Sequence, residues 1–366
     1  MRIVHHSALI EAASGMMVQV TDIVRAELRA GLDSGVVDFH TDNAMGGQVV
    51  HGVKMNNWNW AFERPDDTLH VIHSHVPHRF KDMKYTVIVL HGTPEHCALN
   101  EVYHQNKHAF NTSVNLINDC TAAITLLPRH KQFWDCYDHN GGMVFAAPPG
   151  VDCTERFVPF DELPPQEQTK MVRMNPNLEM PYHMFIFTAR PTVMMAESYY
   201  EIKLPIAAML SIKYAAEQCH GARLVIYGMP EWMKNQYMKM ICKAYIDQYI
   251  DEWTDKVTQI ERYYRGAHVC VSQVLNGDMS RTGQEAMACG TPAITTASKY
   301  SHNIDEWTCE NNPGDIAEKI IQIWEQMAKD EPTMRKKARD IALERFNIDI
   351  TIKALTKAYT EILNGK

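Results

Sequence analysis

Short apolar segments recur along the first half of the chain, and each ends at a glycine, a proline or a polar turn. They occupy residues 2–6, 70–77, 85–93, 121–128 and 142–150. After the first of them, apolar residues from Met16 to Leu28 recur every three or four positions, which predicts a helix that ends near Gly31. Strands that alternate with helices predict a parallel, doubly wound sheet, which is an α/β architecture.

The second half repeats this pattern after a polar, proline-rich stretch at 159–181, whose composition is typical of a linker. The predicted strands are 184–190, 222–228, 267–273 and 293–296, and the predicted helices are 202–218, a region up to about 264, and the last ~35 residues. We therefore predict two Rossmann-like domains that face each other across a cleft. The first is 1–158, joined by the C-terminal helix at about 350–366, and the second is 159–349.

Composition is that of a folded protein with two cores, since 45% of the 366 residues are apolar and 22% are charged. The nine cysteines are scattered and never spaced as C-x-x-C, so neither a disulfide framework nor a zinc site is predicted, and a cytoplasmic location is expected. No apolar segment approaches the ~18 residues of a membrane span, and no signal-peptide core follows Met1.

Charge argues against DNA or another polyanion as a partner. The net charge is −8, and residues 1–150 hold 11 Lys and Arg against 15 Asp and Glu, so neither half predicts a basic face. Histidine is unevenly distributed, because 14 of the 18 histidines lie in residues 1–150. Either a histidine-lined ligand site or ordinary use of histidine at the surface explains this concentration.

Loops that follow parallel strands carry the candidate binding residues, because ligands of open α/β sheets bind at the carboxyl ends of the strands. Gly15 starts the first helix, where backbone N–H groups favour a phosphate, although a simple turn is the alternative. Arg190 and Lys203 are predicted in one strand-to-helix loop, either as a diphosphate clamp or as solvated charges. Glu285 is predicted in the first turn of a helix, where it either accepts hydrogen bonds from a ribose diol or forms a capping box with Thr282.

Several motifs occur in the order in which one enzyme family has them. They are "VIHSHVP", "VIVLHGTPE", "CTAAITLLPRHKQFW", "APPGVDCTERFVP", "FIFTARP", "ARLVIYGMPEW", "RYYRGAHVCVSQ", "SRTGQEAMACGTPAI" and "MRKKARDIALERFNID". Together they resemble the family-four retaining glycosyltransferases (glycosyl transferases group 1), which have the GT-B fold. The signature of that family is an acid, seven residues, a second acid and then "AMACGTPVI". The resemblance covers nearly the whole chain.

This resemblance implies the GT-B fold and transfer of a sugar from a nucleotide-diphosphate donor to a hydroxyl acceptor, with retention of the anomeric configuration. The donor is expected to be a UDP- or GDP-sugar. The implied roles are ribose binding by Glu285, diphosphate binding by Arg190 and Lys203, and contact with the donor sugar by His91. The other candidates are Gly15, Gly228, Asp278, Met279 and Thr282 on the donor side, and His75 and His96 on the acceptor side.

The chain departs from the family pattern in two places. Gly277 stands where the family has the first acid, so either Asp278 takes over that role or the donor sugar lacks the hydroxyls that the acid holds. Lys203 follows Arg190 by thirteen residues, a longer spacing than that of the family. This spacing indicates either an inserted loop or a different cation.

The sequence contains no D-x-D motif, which predicts a reaction without a metal, and His73-x-His75 has no third ligand at metal-site spacing. The acceptor stays open between a lipid or glycan intermediate, a small molecule and a hydroxylated nucleobase in DNA, as in base-glucosylating bacteriophage enzymes. A non-catalytic module that binds nucleotide sugars is the alternative from another class. An epimerase of the same fold would not be expected to keep the helix "EAMACGTP".

Overall fold

The structure is a computed structural model of the chain. It describes residues 1–7, 15–38, 47–73, 76–77, 79–91, 94, 109–139, 141, 143–168, 192–196, 205–219, 222–227, 244–245, 247–254, 259–272, 280–296 and 305–365. The chain divides into two compact units. Unit 1 consists of Met1–Gly150 with Asn347–Lys366, and unit 2 consists of Val151–Phe346.

In the described residues, unit 1 is built on an eight-stranded sheet in the order β3-β4-β2-β1-β5-β6-β7-β8. Its strands are β1 (Arg2–Ser7), β2 (Asp33–Asp38), β3 (Val49–Val50), β4 (Val53–Asn56), β5 (Thr68–His73), β6 (Tyr85–Leu90), β7 (Ala122–Thr125) and β8 (Val144–Ala146). Neighbouring strands pair in parallel, except for the antiparallel pair of β3 and β4. The strand order reverses between β1 and β5, so the topological switch point of unit 1 lies there.

Helices cover both faces of this sheet. They are α1 (Gly15–Arg29), α2 (Trp58–Phe62), α3 (Ala109–Asp119), α4 (Pro128–Asp135) and α9 (Ile348–Asn364). On one face, Ile23 of α1 and Tyr359 of α9 share a core with Val71 of β5. On the other face, Trp134 of α4 packs in a cluster with Ile72 of β5. Because both faces are covered, every residue of β5 and of β6 is buried.

The described strands of unit 2 form a six-stranded sheet in the order β11-β10-β9-β12-β13-β14, and every pair is parallel. They are β9 (Thr192–Ala196), β10 (Arg223–Tyr227), β11 (Ile250–Thr254), β12 (Val269–Ser272), β13 (Ala293–Thr296) and β14 (Thr308–Cys309). The switch point of this unit lies between β9 and β12. The prediction of parallel, doubly wound sheets is confirmed in each unit.

The helices described in unit 2 are α5 (Pro205–Gln218), α6 (Ile260–Gly266), α7 (Arg281–Ala288) and α8 (Pro313–Arg345). The side chain of Asn312 caps the start of α8 by accepting a hydrogen bond of 2.9 Å from the backbone N–H of Asp315. This helix is bent at Asp330, whose backbone angles are not helical, two residues before Pro332. A proline inside a helix removes one backbone hydrogen bond and bends the helix there.

The structure divides the chain at Gly150, eight residues before the predicted boundary at 158. Cys153 and Phe157 belong to the core of unit 2, and their carbonyls accept hydrogen bonds of 2.8 and 3.0 Å from the Arg339 guanidinium. Gly150 itself meets α9 closely, since a Cβ atom there would lie 2.7 Å from Cα of Ile348. Only glycine fits at this point of unit 1.

Three further predictions of secondary structure differ from the structure. The segment 191–201 was expected to be a loop, yet β9 lies in it, and the strand predicted at 184–190 lies outside the described residues. The region before 264 was expected to be helical, yet it contains β11. The single helix expected over the last residues is divided, because α8 ends at Arg345 and α9 begins at Ile348.

In the part of the chain that the structure describes, no cysteine pair forms a disulfide bond. No helix in that part is long and apolar enough to cross a membrane.

Candidate functional site

The carboxyl ends of the strands at each switch point are the expected ligand-binding edges of the two units. In unit 1, Ser7 and His73 end β1 and β5, and His91 directly follows β6. In unit 2, the chain leaves β12 at Ser272 and reaches α7 at Arg281.

Three histidines in unit 1 form a hydrogen-bonded line that ends at His91. His5 Nδ1 lies 2.9 Å from His73 Nε2, and His73 Nδ1 lies 2.6 Å from His91 Nε2. The strand register explains this line, because His5 is level with Val71 and His73 is level with Val89. Each histidine is therefore two residues further along the next strand, and residues two apart share one face of a sheet. The line runs diagonally toward the carboxyl edge.

A buried carboxylate lies at the other end of the line. Glu27 Oε2, on α1, lies 2.8 Å from His5 Nε2 and accepts a hydrogen bond of 2.5 Å from Ser34 Oγ. Glu27 and His5 are both 0% exposed. Burial, and after it the charge of Glu27, raises the pKa of the Tyr359 phenol well above its ordinary value, so this hydroxyl of α9 lies beside the carboxylate. The hydrogen bonds to Oε2 offset part of the cost of burying this group, whose Oε1 has no hydrogen-bond partner among the described residues.

The middle member of the line is electrically neutral at pH 7. Burial lowers the pKa of His73 well below its ordinary value, and the charges of His91 and His5 lower it further. A neutral imidazole has one ring nitrogen that donates and one that accepts. Since the ring nitrogens point at one another, they do not converge on a common centre. Among the described residues, no group of three or more His, Cys, Asp or Glu side chains could hold a metal ion.

A second histidine pair lies on the opposite face of the same strands. His6 Nε2 lies 3.0 Å from His70 Nδ1, and the rings pack against Trp58 and Phe62 of α2. Burial lowers the pKa of His6 well below its ordinary value and that of His70 to about 4. These two histidines form an aromatic cluster in the core with Trp58 and Phe62.

Two buried hydroxyls also lie at the carboxyl edge of unit 1. Ser7 ends β1 and Thr125 ends β7, and both are 0% exposed. Neither hydroxyl has a hydrogen-bond partner among the described residues. Because a buried hydroxyl without a partner is costly, this edge is where a ligand, or the residues outside the described ranges, would supply one.

The signature acid of unit 2, Glu285, is held by two neighbours on different elements. Its Oε2 accepts a hydrogen bond of 3.1 Å from the hydroxyl of Tyr264, on α6, and its Oε1 accepts one of 2.7 Å from Arg281 Nε. Glu285 is 7% exposed. A carboxylate can accept about four hydrogen bonds, so these two are compatible with a diol on the same group.

The capping box, which was the alternative to ribose binding by Glu285, is wrong. The N-cap of α7 is Ser280, so Thr282 is the second helical residue and Glu285 the fifth. A capping box needs its acid at the third position, where the carboxylate reaches back to the cap. Glu285 therefore lies in the second turn, not in the first turn as predicted, and it bonds Tyr264 and Arg281 instead.

The end of α7 is fixed by glycine and by arginines from α8. Gly290 has a φ of +84°, the left-handed region that suits glycine, and Thr291 donates from its backbone N–H to the Ala286 carbonyl at 2.9 Å. This arrangement is a Schellman cap, in which Gly290 directly follows the C-cap residue Cys289. Arg335 bonds the Ala267 carbonyl at 3.1 Å, and Arg339 bonds the Ala288 carbonyl at 3.0 Å. These contacts hold the helix of Glu285 in place.

Several predicted site residues lie outside the described residues. They are His75, His96, Arg190, Lys203, Gly228, Asp278 and Met279, together with Gly277. Gly15 is described as the first residue of α1, and residues 8–14 before it are not described.

The position of β9 bears on the two predicted cations. This strand runs from Thr192 to Ala196, so Arg190 precedes it in the sequence, whereas Lys203 follows its end by seven residues. Residues that follow a parallel strand reach the ligand-binding edge. The order along the chain therefore agrees with Lys203, rather than Arg190, as the proposed ligand of the diphosphate.

Several residues of these arrangements were not predicted from the sequence, among them Glu27, His5, Tyr264 and Arg281. Only the last had a local signal, since Arg281 and Glu285 have the i,i+4 spacing of helical ion pairs. The other three meet their partners across different elements, so their roles depend on strand order and register.

Residues 191–326 match the family model described as Glycosyl transferases group 1. This segment lies within unit 2 and includes β9, α7 and Glu285. No curated protein sequence matches the chain.

Solved structures match over the whole length. Sucrose-phosphate synthase from Thermosynechococcus elongatus has a TM-score of 0.68, with 14% identity and 100% of both chains covered. HepE from Anabaena, in complex with UDP and glucose, has a TM-score of 0.67, with 13% identity and coverage of 99% of this chain and 100% of that chain. The trehalose-6-phosphate synthase OtsA has a TM-score of 0.66 and 11% identity, over 98% and 99% of the two chains.

The fold is GT-B. The resemblance drawn from the sequence motifs is thereby confirmed for the fold, and the family match confirms it for residues 191–326. The GT-B fold and the match to glycosyl transferases group 1 support transfer of a sugar from a nucleotide-sugar donor.

Proposed function

We propose that this GT-B protein is a retaining glycosyltransferase that moves a sugar from a nucleotide-diphosphate donor to a hydroxyl group without a metal. The observation that carries the proposal is the position of Glu285. It lies on the helix that follows β12, within the segment that matches the family, with its carboxylate held by Tyr264 and Arg281. A carboxylate fixed in this way is suited to the two hydroxyls of a ribose.

Each remaining role is assigned by the charge that the reaction develops. As the glycosidic bond breaks, negative charge grows on the leaving diphosphate, and Lys203 is proposed to stabilise it. The leaving phosphate oxygen takes the proton of the acceptor hydroxyl on the same face of the sugar, so the configuration is retained. His91, at the carboxyl edge of unit 1, is proposed to bond a hydroxyl of the donor sugar.

The donor is proposed to be a UDP-sugar first and a GDP-sugar second. The HepE structure contains UDP and glucose, and a further structure of that protein, at 12% identity, contains UDP-glucose. Asp278 is proposed to bond the sugar in place of the acid that Gly277 lacks. The acceptor is a hydroxyl compound, and the net charge of −8 does not favour DNA.

Turnover measurements with a panel of UDP-, GDP- and TDP-sugars test this proposal, with release of free nucleotide as the readout. We expect release from one donor, unchanged by EDTA, and its loss in Lys203→Ala. The contrary result is a protein that binds nucleotide but releases no free nucleotide from any donor when every acceptor class is offered. Such a protein is a binding module, which contradicts the proposal. Loss of activity in EDTA that Mg²⁺ or Mn²⁺ restores would contradict the metal-free reaction alone.

A further inference from the structure

The line Glu27, His5, His73 and His91 has a direction that its hydrogen bonds determine. Glu27 Oε2 is approached by two groups, Ser34 Oγ at 2.5 Å and His5 Nε2 at 2.8 Å. Ser34 Oγ donates to this oxygen, so the oxygen is an acceptor, and His5 Nε2, which faces the same oxygen, is a donor. The proton of His5 therefore lies on Nε2, and its Nδ1 is left as an acceptor.

The same reasoning continues along the line. His5 Nδ1 accepts at 2.9 Å, so the proton of the neutral His73 lies on Nε2 and its Nδ1 is an acceptor in turn. His73 Nδ1 then accepts at 2.6 Å from His91 Nε2–H. The remaining nitrogen of His91, Nδ1, is consequently the unprotonated one. Three side chains on two strands and one helix thus set the proton position of His91, which directly follows β6.

We propose that Glu27, His5 and His73 are positioning residues that hold His91 in the tautomer whose Nδ1 accepts a hydrogen bond from a sugar hydroxyl. This inference rests on the proposed function for the role of His91. The relay itself, which is the hydrogen-bonded line from Glu27 through His5 and His73 to His91, does not depend on that function. An unprotonated Nδ1 recognises a hydroxyl donor and rejects a carbonyl or phosphate oxygen, so the relay makes the histidine selective for a hydroxyl.

The test is the protonation of the two ring nitrogens of His91, observed by NMR on the full chain labelled with ¹⁵N-histidine. The signals are assigned by their loss in His91→Asn. An unprotonated ring nitrogen resonates far from a protonated one, so the tautomer is read directly. We expect Nε2–H and bare Nδ1 in the wild-type protein. A protonated Nδ1 with bare Nε2 overturns the proposal without any variant of the relay.

Glu27→Met tests the cause, because methionine keeps the length of the side chain and removes the acceptor. Without it, His5 turns its proton toward His73, the line reverses, and His91 shows Nδ1–H. The matched control is His70→Phe, which removes a buried histidine from the opposite face of β5 and should leave the His91 signals unchanged. Reversal in the control, or no reversal in Glu27→Met, overturns the relay.

Kinetics distinguish the relay from the proposed function. In Glu27→Met we expect kcat to fall roughly 10- to 100-fold, as when a partner that orients a working histidine is lost, while the affinity for free nucleotide is unchanged. An unchanged kcat with a reversed tautomer overturns the role of the tautomer. If the wild-type protein turns over no donor, the proposed function fails, and the NMR result still decides whether the relay exists.

Discussion

Replacement of Glu285 by glutamine tests whether this carboxylate binds ribose or only supports the fold. The amide has the same shape but no charge, so it weakens every hydrogen bond that the carboxylate accepts. Bonds to a charged acceptor contribute about 1.5 to 3 kcal/mol, and a loss of this size lowers nucleotide affinity roughly 10- to 150-fold. Glu285→Gln should also melt earlier, because its partners Tyr264 and Arg281 lose a charged acceptor.

The stability term can be separated from the binding term. Arg281 is an i,i+4 partner on a partly exposed side chain, so its ion pair contributes only about 0.3 to 0.5 kcal/mol. The Tyr264 bond is buried and accounts for most of the effect. Tyr264→Phe removes that bond and keeps the carboxylate. This variant should therefore lose about 1 to 2 kcal/mol of unfolding free energy without a comparable loss of nucleotide affinity.

Calorimetric titration with free UDP and GDP, beside thermal melting of both variants, is the assay. The reasoning is refuted if Glu285→Gln binds nucleotide as tightly as the wild-type protein and melts no higher than Tyr264→Phe. The carboxylate would then serve only to join α6 to α7. If neither nucleotide binds the wild-type protein, the donor class is wrong before the role of Glu285 is reached.

Three further substitutions test separate parts of the site. Lys203→Ala should lower turnover roughly 10²- to 10³-fold with a smaller effect on donor affinity, while Arg190→Ala should have little effect on either quantity. The reverse kinetic result would identify Arg190 as the diphosphate ligand. Asp278→Ala should lower turnover with a hexose donor about 10- to 100-fold. If turnover is unchanged in this variant and Gly277→Glu shifts donor preference toward a hexose, the native sugar lacks the partner hydroxyls. Gly290→Ala should destabilise the protein by about 1 to 2 kcal/mol in denaturant unfolding, because a side chain is forced into positive φ, and an unchanged midpoint would contradict the Schellman cap.

The strands that the sequence predicted correctly are those with an uninterrupted apolar run. β6 is Tyr85–Leu90, inside the predicted 85–93, and β10 is Arg223–Tyr227, inside the predicted 222–228. Parallel strands covered on both faces are apolar at every position, so they can be recognised without knowledge of their neighbours. The fold class followed from these strands alone.

The strands that were missed lack this run. β2 reads "DSGVVD" and β11 reads "IDEWT", and polar residues interrupt both. The apolar stretch at 184–190 drew the prediction away from β9, whose sequence "TVMMA" is equally suited to a strand. Only the pairing of β9 with β10 and β12 identifies it as a central strand of unit 2.

The candidate site was predictable as far as local motifs extend. The helix of Glu285 was recognised, because the motif that predicts it lies within the helix itself. The residues that hold Glu285 were not recognised, because Tyr264 lies on α6 and reaches the carboxylate through the tertiary fold. The same limit applies to Glu27, which is 64 residues from His91 in sequence and joined to it only through two other strands.

The concentration of histidine in the first half now has a physical explanation at five positions. His5, His6, His70, His73 and His91 lie on β1 or β5 or directly after β6. The first four are at most 1% exposed, so ordinary surface use does not account for them. A histidine in a strand that is otherwise apolar gives up hydration and is retained only where a partner satisfies it. On one face that partner is an aromatic cluster, and on the other the partners form a line from a carboxylate to the ligand-binding edge. The second face, which carries His5 and His73, departs from the apolar pattern of a core strand. Packing alone does not explain this departure, and a functional requirement is expected at such positions.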